Sequence, residues 1–321
     1  MERVFITRRI PTAGIRLLES KYLVDVWEGE LPPTHVELMS RVQGVSGLLT
    51  MLSDKIDQEV IEAVGPSLKV IANYAVGYDN IDLLAASKQG LQIGNTPGVL
   101  TETTADLAFA LMMAVSRRIV EGHLYIQAGK WKTWGPKLLQ GYEFFGKTLG
   151  VIGVGRIGKA LARRGLGFGM KILFYSPTAS KNYFEEYNAS KVDLDTVLRN
   201  SDYLSLHCPL NDRSYSMLNA EAFGKMKHTA ILVNTARGPV VDSKALFTAL
   251  QEKKLAGAGL DVTDPEPISL DDPLLTLSNV VITPHIGSAS YETREKMSEM
   301  AAKNIIAGIE GEPLPYGVKL K

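Results

Sequence analysis

Cysteine is almost absent from this sequence. Cys208 is the only one among 321 residues, so no intramolecular disulfide can form. It lies in an apolar run that predicts a strand, and we interpret it as a small buried residue rather than a nucleophile. Candidate catalytic groups are therefore of other types.

An excess of charge of one sign is also missing. Lys and Arg together number 35, as do Asp and Glu, so no global field favours nucleic acid or an acidic membrane. No apolar run reaches the length of a membrane span. Residues 1–9 carry charges where a signal peptide needs an apolar core. We expect a cytoplasmic protein without nucleic-acid, membrane or metal partners.

Length and hydrophobic content are those of a globular protein with more than one domain. The chain is 45% hydrophobic and 22% charged, and 321 residues are too many for one ordinary core. Apolar runs predict strands at 4–7, 24–27, 47–50, 69–73 and 91–93. Helical periodicity separates them at 13–20, 35–42 and 58–64. Such alternation is typical of a doubly wound parallel sheet, and the turn at 95–98 suggests its boundary.

The stretch 148–159, T-L-G-V-I-G-V-G-R-I-G-K, places a glycine-rich loop between a predicted strand and a predicted helix, 157–166. Gly153 allows the tight turn, Gly155 lets a pyrophosphate approach the backbone, and Gly158 lets the helix pack close to the strand. The helix N-terminus offers free N–H groups to phosphates. This context predicts dinucleotide binding rather than a purely structural turn.

A second α/β region follows the glycine loop. Strands are predicted at 171–176, 203–208, 230–234, 258–262 and 280–283, with helices at 194–199, 220–225 and 244–253. The last helical pattern, 291–310, follows serines suited to an N-cap and is expected to return to the first domain. The helix 100–118 is apolar nearly all round, and 129–141 holds Trp131 and Trp134 in an arm without periodicity. Both favour burial against a second subunit, hence a homodimer.

Three reactive side chains follow strands of the second region. Arg237 comes after 230–234, Glu266 lies between prolines after 258–262, and His285 comes after 280–283. Ligands of open parallel sheets sit at these carboxyl ends. Alone, each residue also suits a structural or solvated role. Together they supply what hydride transfer to a keto acid needs: a cation for the carboxylate, a proton donor, and a carboxylate to orient and charge that donor.

The sequence resembles the D-2-hydroxyacid dehydrogenase family from end to end. The matching stretches are 73–80 (N-Y-A-V-G-Y-D-N), the glycine loop, 234–242 (N-T-A-R-G-P-V-V-D), 259–267 (G-L-D-V-T-D-P-E-P) and 283–288 (T-P-H-I-G-S). Within the family it is most similar to glyoxylate and hydroxypyruvate reductases. The resemblance implies a Rossmann cofactor domain, 99–287, inserted into a flavodoxin-like substrate domain formed by 1–98 plus 288–321.

The resemblance also implies the site. Arg237, Glu266 and His285 would be catalytic, and backbone N–H groups of Val76 and Gly77 would join Arg237 and His285 in binding substrate. The residues implied to hold the cofactor, including those of the glycine loop, are Thr104, Gly153, Gly155, Arg156, Ile157, Gly158, Thr235, Ala236, Asp261 and Gly287. The implied reaction reduces a small 2-oxo acid to the D-2-hydroxy acid.

The adenosine end of the cofactor site lacks its usual acid. NAD-binding folds place Asp or Glu about 20 residues past the loop, but 174–181 read F-Y-S-P-T-A-S-K, and no carboxylate follows until Glu185. The candidate ligands of a 2′-phosphate are Ser176, Thr178, Ser180 and Lys181. Related NADP enzymes often place Arg where this chain has Pro177. We expect NADP(H) to be preferred and NAD(H) to be possible; alternatively Lys181 is a solvated charge and both cofactors bind.

Other functions remain open at this stage. A 3-phosphoglycerate dehydrogenase is one alternative; the short stretch after the last helix argues against a regulated form of it but not against a short one. Formate dehydrogenase is disfavoured because Glu266 is retained. A corepressor that binds partner peptides on the same fold is a third, disfavoured because the chain lacks long tails.

Overall fold

Two parallel β-sheets organise the chain in the computed structural model, which describes residues 1–180, 185 and 187–319. One unit comprises Met1–Leu100 with Ser288–Lys321, and the other comprises Thr101–Gly287. Among the described residues, no helix is long and apolar enough to span a membrane.

The first unit is built on a five-stranded sheet. Its strands are β1 (Arg3–Ile6), β2 (Leu23–Val26), β3 (Gly47–Thr50), β4 (Val70–Asn73) and β5 (Gln92–Gly94). Its helices are α1 (Thr12–Glu19), α2 (His35–Arg41), α3 (Gln58–Val64), α4 (Leu83–Lys88) and α11 (Tyr291–Glu310). The order β2-β1-β3-β4-β5, parallel throughout, is that of flavodoxin-like folds, as expected.

Helix α11 closes the first unit. The Ser290 side chain caps its start by accepting from the Thr293 N–H, and Gly311 ends it at φ 78°. Its small residues let it pack closely: a Cβ at Gly308 would overlap Val70 of β4. The final helical pattern therefore belongs to the same unit as the first five strands.

The second unit is built on a seven-stranded sheet. Its strands are β6 (Thr148–Ile152), β7 (Lys171–Tyr175), β8 (Ser190–Lys191), β9 (Tyr203–Leu206), β10 (Ile231–Asn234), β11 (Gly257–Leu260) and β12 (Val280–Ile282). Its helices are α5 (Thr101–Ser116), α6 (Ile119–Gln127), α7 (Arg156–Gly167), α8 (Leu194–Asn200), α9 (Ala220–Lys225) and α10 (Ser243–Gln251). The order β12-β11-β10-β9-β6-β7-β8 is the dinucleotide-binding order with one more strand. Along the chain, β6, β7 and β8 extend this parallel sheet to one side, and β9 to β12 then extend it to the other side of β6. The expected pair of doubly wound parallel sheets is confirmed.

Several short elements differ from the sequence-based expectation. Helices α4 and α6 and strand β8 were not predicted, because six, nine and two residues give weak periodicity. The apolar helix stops at Ser116, since Arg118 adopts a left-handed conformation, φ 51°, at the N-cap of α6. Its buried face packs within its own unit, where Leu111 lies 3.0 Å from the Cβ position of Gly259. Strand β9 ends at Leu206, which leaves His207 and Cys208 beyond it.

Candidate active site

The glycine loop joins β6 to α7 at the point where the strand order reverses. Gly153 has φ 90°, a conformation that side chains rarely adopt. A Cβ at Gly158 would lie 2.5 Å from the Gly153 carbonyl oxygen, whereas one at Gly155 would meet no atom within 4 Å. Helix α7 begins at Arg156 without a side-chain cap, so its first N–H groups can bind phosphate. The residues at this turn fit a dinucleotide pyrophosphate.

The turn that carries Arg237 is fixed by the last residue of β10. The Asn234 amide donates to the Arg237 carbonyl at 2.8 Å, and its oxygen accepts from the Ala236 N–H at 3.0 Å. Gly238 packs against the Thr263 carbonyl with no room for a side chain. The turn after β10 therefore lies against the loop after β11, and Arg237 is half-buried at the carboxyl edge of the sheet.

Asp261, just past β11, organises the loop after β12. One carboxylate oxygen accepts from the Thr283 hydroxyl at 2.7 Å and from the Ile286 N–H at 2.8 Å, and the other accepts from the Gly287 N–H at 2.8 Å. The Asp261 carbonyl accepts from the His285 N–H at 3.0 Å. Burial raises the pKa of the Asp261 carboxyl, although these donors act against that rise.

His285, in this loop, forms a hydrogen-bonded pair with Glu266, which lies in the loop after β11. His285 Nδ1 lies 2.6 Å from Glu266 Oε1, and their side chains are 25% and 36% exposed. The histidine adopts φ 51°, an uncommon conformation for a residue with a Cβ, which is held by the bonds to Asp261. Glu266 fixes one ring nitrogen, so Nε2 is available to a ligand. A histidine oriented by a carboxylate in this way suits general acid–base chemistry.

Four more residues predicted to contact the cofactor lie in the same unit. A Cβ at Gly287 would be 3.1 Å from the Asp261 carboxylate and 3.3 Å from the Thr104 side chain, so these three are neighbours. Thr235 Oγ1 is buried and makes no hydrogen bond within the described residues, and Ala236 beside it is buried. A buried hydroxyl without a partner fits a polar group of a bound ligand.

The end of β7 carries the predicted adenosine-side residues. Ser176 is buried and its hydroxyl oxygen accepts from the Ala179 N–H at 3.3 Å, while Thr178 is exposed. Lys181, the predicted charge, lies outside the described residues. Lys191 of β8, which the sequence did not single out, donates to the Ala179 carbonyl and brings a cation to this turn.

The predicted substrate donors Val76 and Gly77 follow β4 in the first unit, at the carboxyl edge of its sheet, and both are half-buried. In the described residues, no cluster of three or more His, Cys, Asp or Glu side chains could hold a metal ion.

Comparison with known sequences identifies the family. The model of the D-isomer specific 2-hydroxyacid dehydrogenase NAD-binding domain matches residues 109–287, more than half of the chain. The chain belongs to the D-isomer specific 2-hydroxyacid dehydrogenases. The expected family is confirmed, and this dehydrogenase is an NAD(P)-dependent oxidoreductase.

Relatives of this dehydrogenase resemble it over nearly their whole lengths. A glyoxylate reductase of Korarchaeum cryptofilum is 52% identical over 314 residues, 98% of this chain and 94% of that protein. A Thermus thermophilus crystal structure superposes with a TM-score of 0.93 at 47% identity, covering 99% of this chain and 100% of that one. An NADPH-dependent glyoxylate/hydroxypyruvate reductase of Sinorhizobium meliloti, solved with NADP and malonate, gives 0.86 at 30% identity and coverage of 99% and 96%.

Two positioning roles were missed by the sequence analysis of this dehydrogenase. Asn234 and Thr283 hold the turns that carry Arg237 and His285, and neither was singled out. A polar residue at the end of a strand was the available signal, since Asn and Thr side chains often bond to nearby turns. The Asn234 bonds are local, whereas the Thr283 hydroxyl bonds Asp261, 22 positions away, a partner that only the fold brings close.

Proposed function

We propose that this dehydrogenase reduces glyoxylate to glycolate, or hydroxypyruvate to D-glycerate. The substrate carbonyl gains a hydride from NADPH or NADH at carbon and a proton at oxygen, so one 2-oxo acid, one reduced cofactor and one proton give the 2-hydroxy acid and oxidised cofactor. This proposal rests on the His285–Glu266 pair at 2.6 Å, which lies at the carboxyl edge of the sheet that carries the glycine loop.

The nicotinamide supplies the hydride when bound, and the protein supplies the proton and the alignment. His285, as imidazolium, protonates the carbonyl oxygen from Nε2. Glu266 keeps Nδ1 at 2.6 Å and stabilises the positive ring. Arg237 binds the substrate carboxylate through its planar guanidinium. Holding the acid at its carboxylate converts a chance encounter into an oriented one.

The remaining site assignments are part of this proposal. Backbone N–H groups of Val76 and Gly77 serve the substrate carboxylate, and the two sequence segments 1–98 and 288–321 form the substrate domain. The cofactor ligands are those predicted around the glycine loop, together with Thr104, Thr235, Asp261 and Gly287. The open face of Gly155 and the unpartnered Thr235 hydroxyl support them.

The assay that tests the function is turnover with a panel of 2-oxo acids. Glyoxylate, hydroxypyruvate and phosphohydroxypyruvate are compared by the loss of reduced-nicotinamide absorbance. Preference for glyoxylate or hydroxypyruvate supports the proposal. Preference for the phosphorylated acid favours the 3-phosphoglycerate dehydrogenase alternative, and absence of turnover with all three favours a corepressor-like binding protein.

The cofactor preference we propose is NADPH over NADH by a modest ratio. The turn Ser176–Ser180 carries hydroxyls and no carboxylate that would repel a 2′-phosphate. Ser176→Asp adds a negative charge at the buried serine, so the ratio of kcat/KM with NADPH to that with NADH should fall. Thr196→Asp on α8 is the matched control and should leave the ratio unchanged. A parent that strongly prefers NADH contradicts this assignment.

The assembly we propose is a homodimer in a cytoplasmic protein. Six apolar side chains of α6 and the arm 129–141 are 42% to 76% exposed; they are Ile119, Val120, Leu124, Ile126, Trp131 and Trp134. Exposed apolar surface of this extent often marks an interface. Light scattering at micromolar protein should give a dimer mass, and Leu124→Glu should lower it, whereas Leu270→Glu, at a 94% exposed position elsewhere, should not. A monomeric parent contradicts the proposal.

A further inference from the structure

We propose that Asn95, assisted by Asn73, is a positioning residue that aims the Val76 and Gly77 N–H groups at the substrate carboxylate. This inference rests on the proposed function, in which those two groups bind a 2-oxo acid. It concerns the first unit alone and assigns a role to side chains that contact no reacting atom.

Three successive carbonyls of the loop after β4 are each held by a donor. The Ala75 carbonyl accepts from the Thr96 N–H at 2.9 Å. The Val76 carbonyl accepts from the Asn95 amide at 2.8 Å, and the Gly77 carbonyl accepts from the Asn73 amide at 2.7 Å. The loop has no regular secondary structure, yet all three of these acceptors are satisfied.

Peptide geometry turns these bonds into a directional constraint. In a trans peptide the C=O and the following N–H point in opposite directions within one plane. The bond to Ala75 therefore orients the Val76 N–H, and the Asn95 bond orients the Gly77 N–H. In the part of the chain that the structure describes, neither N–H donates to another protein atom. Two adjacent, oriented and unused N–H groups form a binding site for an anion such as a carboxylate.

Asn95 is itself rigidly held. Its backbone N–H donates to the Tyr316 carbonyl at 3.0 Å, and its carbonyl accepts from the Asn304 amide of α11 at 3.0 Å. The Asn304 side-chain oxygen in turn accepts from the Tyr316 N–H at 3.0 Å. The C-terminal segment thus fixes Asn95, which explains how a loop without secondary structure keeps one orientation.

Asn73 is fixed from the opposite side of the loop. Its side-chain oxygen accepts from the Thr50 hydroxyl at 2.9 Å, and its amide also donates to Asn80 at 2.9 Å. The Asn80 amide bonds the carbonyls of Met51 and Asp54 at 3.0 Å each. Because the Gly77 carbonyl shares its peptide with the Tyr78 N–H, Asn73 constrains the carboxylate donors less directly than Asn95 does.

The test compares Asn95→Asp, Asn95→Ala and Asn73→Asp with the parent. Aspartate keeps the size of asparagine but replaces the donor by an acceptor that repels the Val76 carbonyl. We expect the KM for glyoxylate to rise about tenfold or more in Asn95→Asp, less in Asn95→Ala and least in Asn73→Asp. The kcat should change less than KM. The Kd of reduced cofactor, measured by fluorescence titration, should stay at the parental value.

Asn279→Asp is the matched control. The Asn279 amide donates to the Ala256 carbonyl at 3.1 Å at the amino edge of the other sheet, so the same exchange removes the same kind of bond. It should leave KM and kcat unchanged. Thermal unfolding of every variant identifies general loss of structure, and Asn95→Ala remains informative if the aspartate variant does not fold.

Calorimetric titration with glyoxylate separates the two possible failures. A parent that turns over and binds glyoxylate, with Asn95 variants at parental KM and Kd, overturns the positioning role alone. Loss of glyoxylate and cofactor affinity together in the Asn95 variants overturns it as well. A parent that neither binds nor reduces any 2-oxo acid overturns the proposed function together with this inference.

Discussion

Two histidines lie just past strands of the same sheet and differ in every respect that matters for acid–base chemistry. His285 follows β12 with a carboxylate at 2.6 Å from Nδ1. His207 follows β9, where Nε2 lies 2.9 Å from the Ser205 hydroxyl and Nδ1 is buried with no partner in the described residues. Burial lowers the pKa of His207 to about 4, so its ring is neutral near pH 7.

The contrast teaches that position at a strand end does not define a catalytic histidine. A neighbouring carboxylate decides which ring is oriented, and access to Nε2 decides which ring can deliver a proton. The histidine after β12 has both properties and the one after β9 has neither.

Replacement of the paired histidine should have the largest effect. His285→Ala removes the proton donor, so kcat should fall by about 10²- to 10⁴-fold. The Kd of reduced cofactor should remain close to parental, because the glycine loop and α7 are untouched. Near-normal turnover of the variant at neutral pH would contradict the assignment of His285 as the proton donor.

Arg237→Lys should have the next largest effect, although it keeps the charge. A lysine ammonium cannot reproduce the planar fork of a guanidinium, and a substrate that is slightly misplaced reacts about 10²-fold more slowly. In steady-state kinetics KM should rise and kcat should fall. Unchanged values would show that Arg237 has a structural role, and Arg199→Lys on α8 is the matched control.

Glu266→Gln tests the partner rather than the histidine. Glutamine keeps an acceptor for Nδ1 but loses the negative charge that stabilises the imidazolium, so kcat should fall by roughly tenfold or more while cofactor Kd is unchanged. The effect should be smaller than that of His285→Ala. Equal turnover in parent and variant would mean that the pair is only a structural contact.

How much of this the sequence predicts depends on how local each feature is. The glycine loop, the alternation of strands and helices and the final capped helix were predicted, because each rests on neighbouring residues. The positions of Arg237, Glu266 and His285 past strand ends were predicted because their side chains carry recognisable chemistry there, and their catalytic roles stay a prediction. The strand before His207 was extended two residues too far, which hid the second histidine at that edge.

The supporting contacts were not predicted, for a physical reason. The Asn95–Val76 bond and the Ile286–Asp261 bond join residues 19 and 25 positions apart. Their geometry follows from which strands are neighbours, and polar residues in turns have many alternative partners. Backbone donors such as the Gly77 N–H leave no signature in side-chain type at all.

Replacement of the buried histidine should have the smallest effect on activity and a specific effect on acid stability. Above pH 6.5, the ordinary histidine value, the ring is neutral in both folded and unfolded chains and contributes no pH dependence. Between pH 6.5 and about 4 the unfolded chain takes up a proton that the folded chain does not, so the free energy of unfolding decreases as the pH is lowered. Since one pKa unit corresponds to about 1.4 kcal/mol, the lowered pKa sets a bound of about 3 kcal/mol on this loss.

The test replaces His207 by a residue that does not titrate. His207→Gln keeps a polar group near the Ser205 hydroxyl. Its kcat should stay within about twofold of the parent, because general acid–base help is not lost. The midpoint temperature of thermal unfolding, Tm, measured from pH 7 to pH 4, should fall less steeply in His207→Gln than in the parent. His228→Gln on the surface serves as the control and should follow the parental curve. Parallel curves for His207→Gln and the parent would show that the ring at β9 is protonated in the folded chain, and the contrast between the two histidines would then rest on geometry rather than charge.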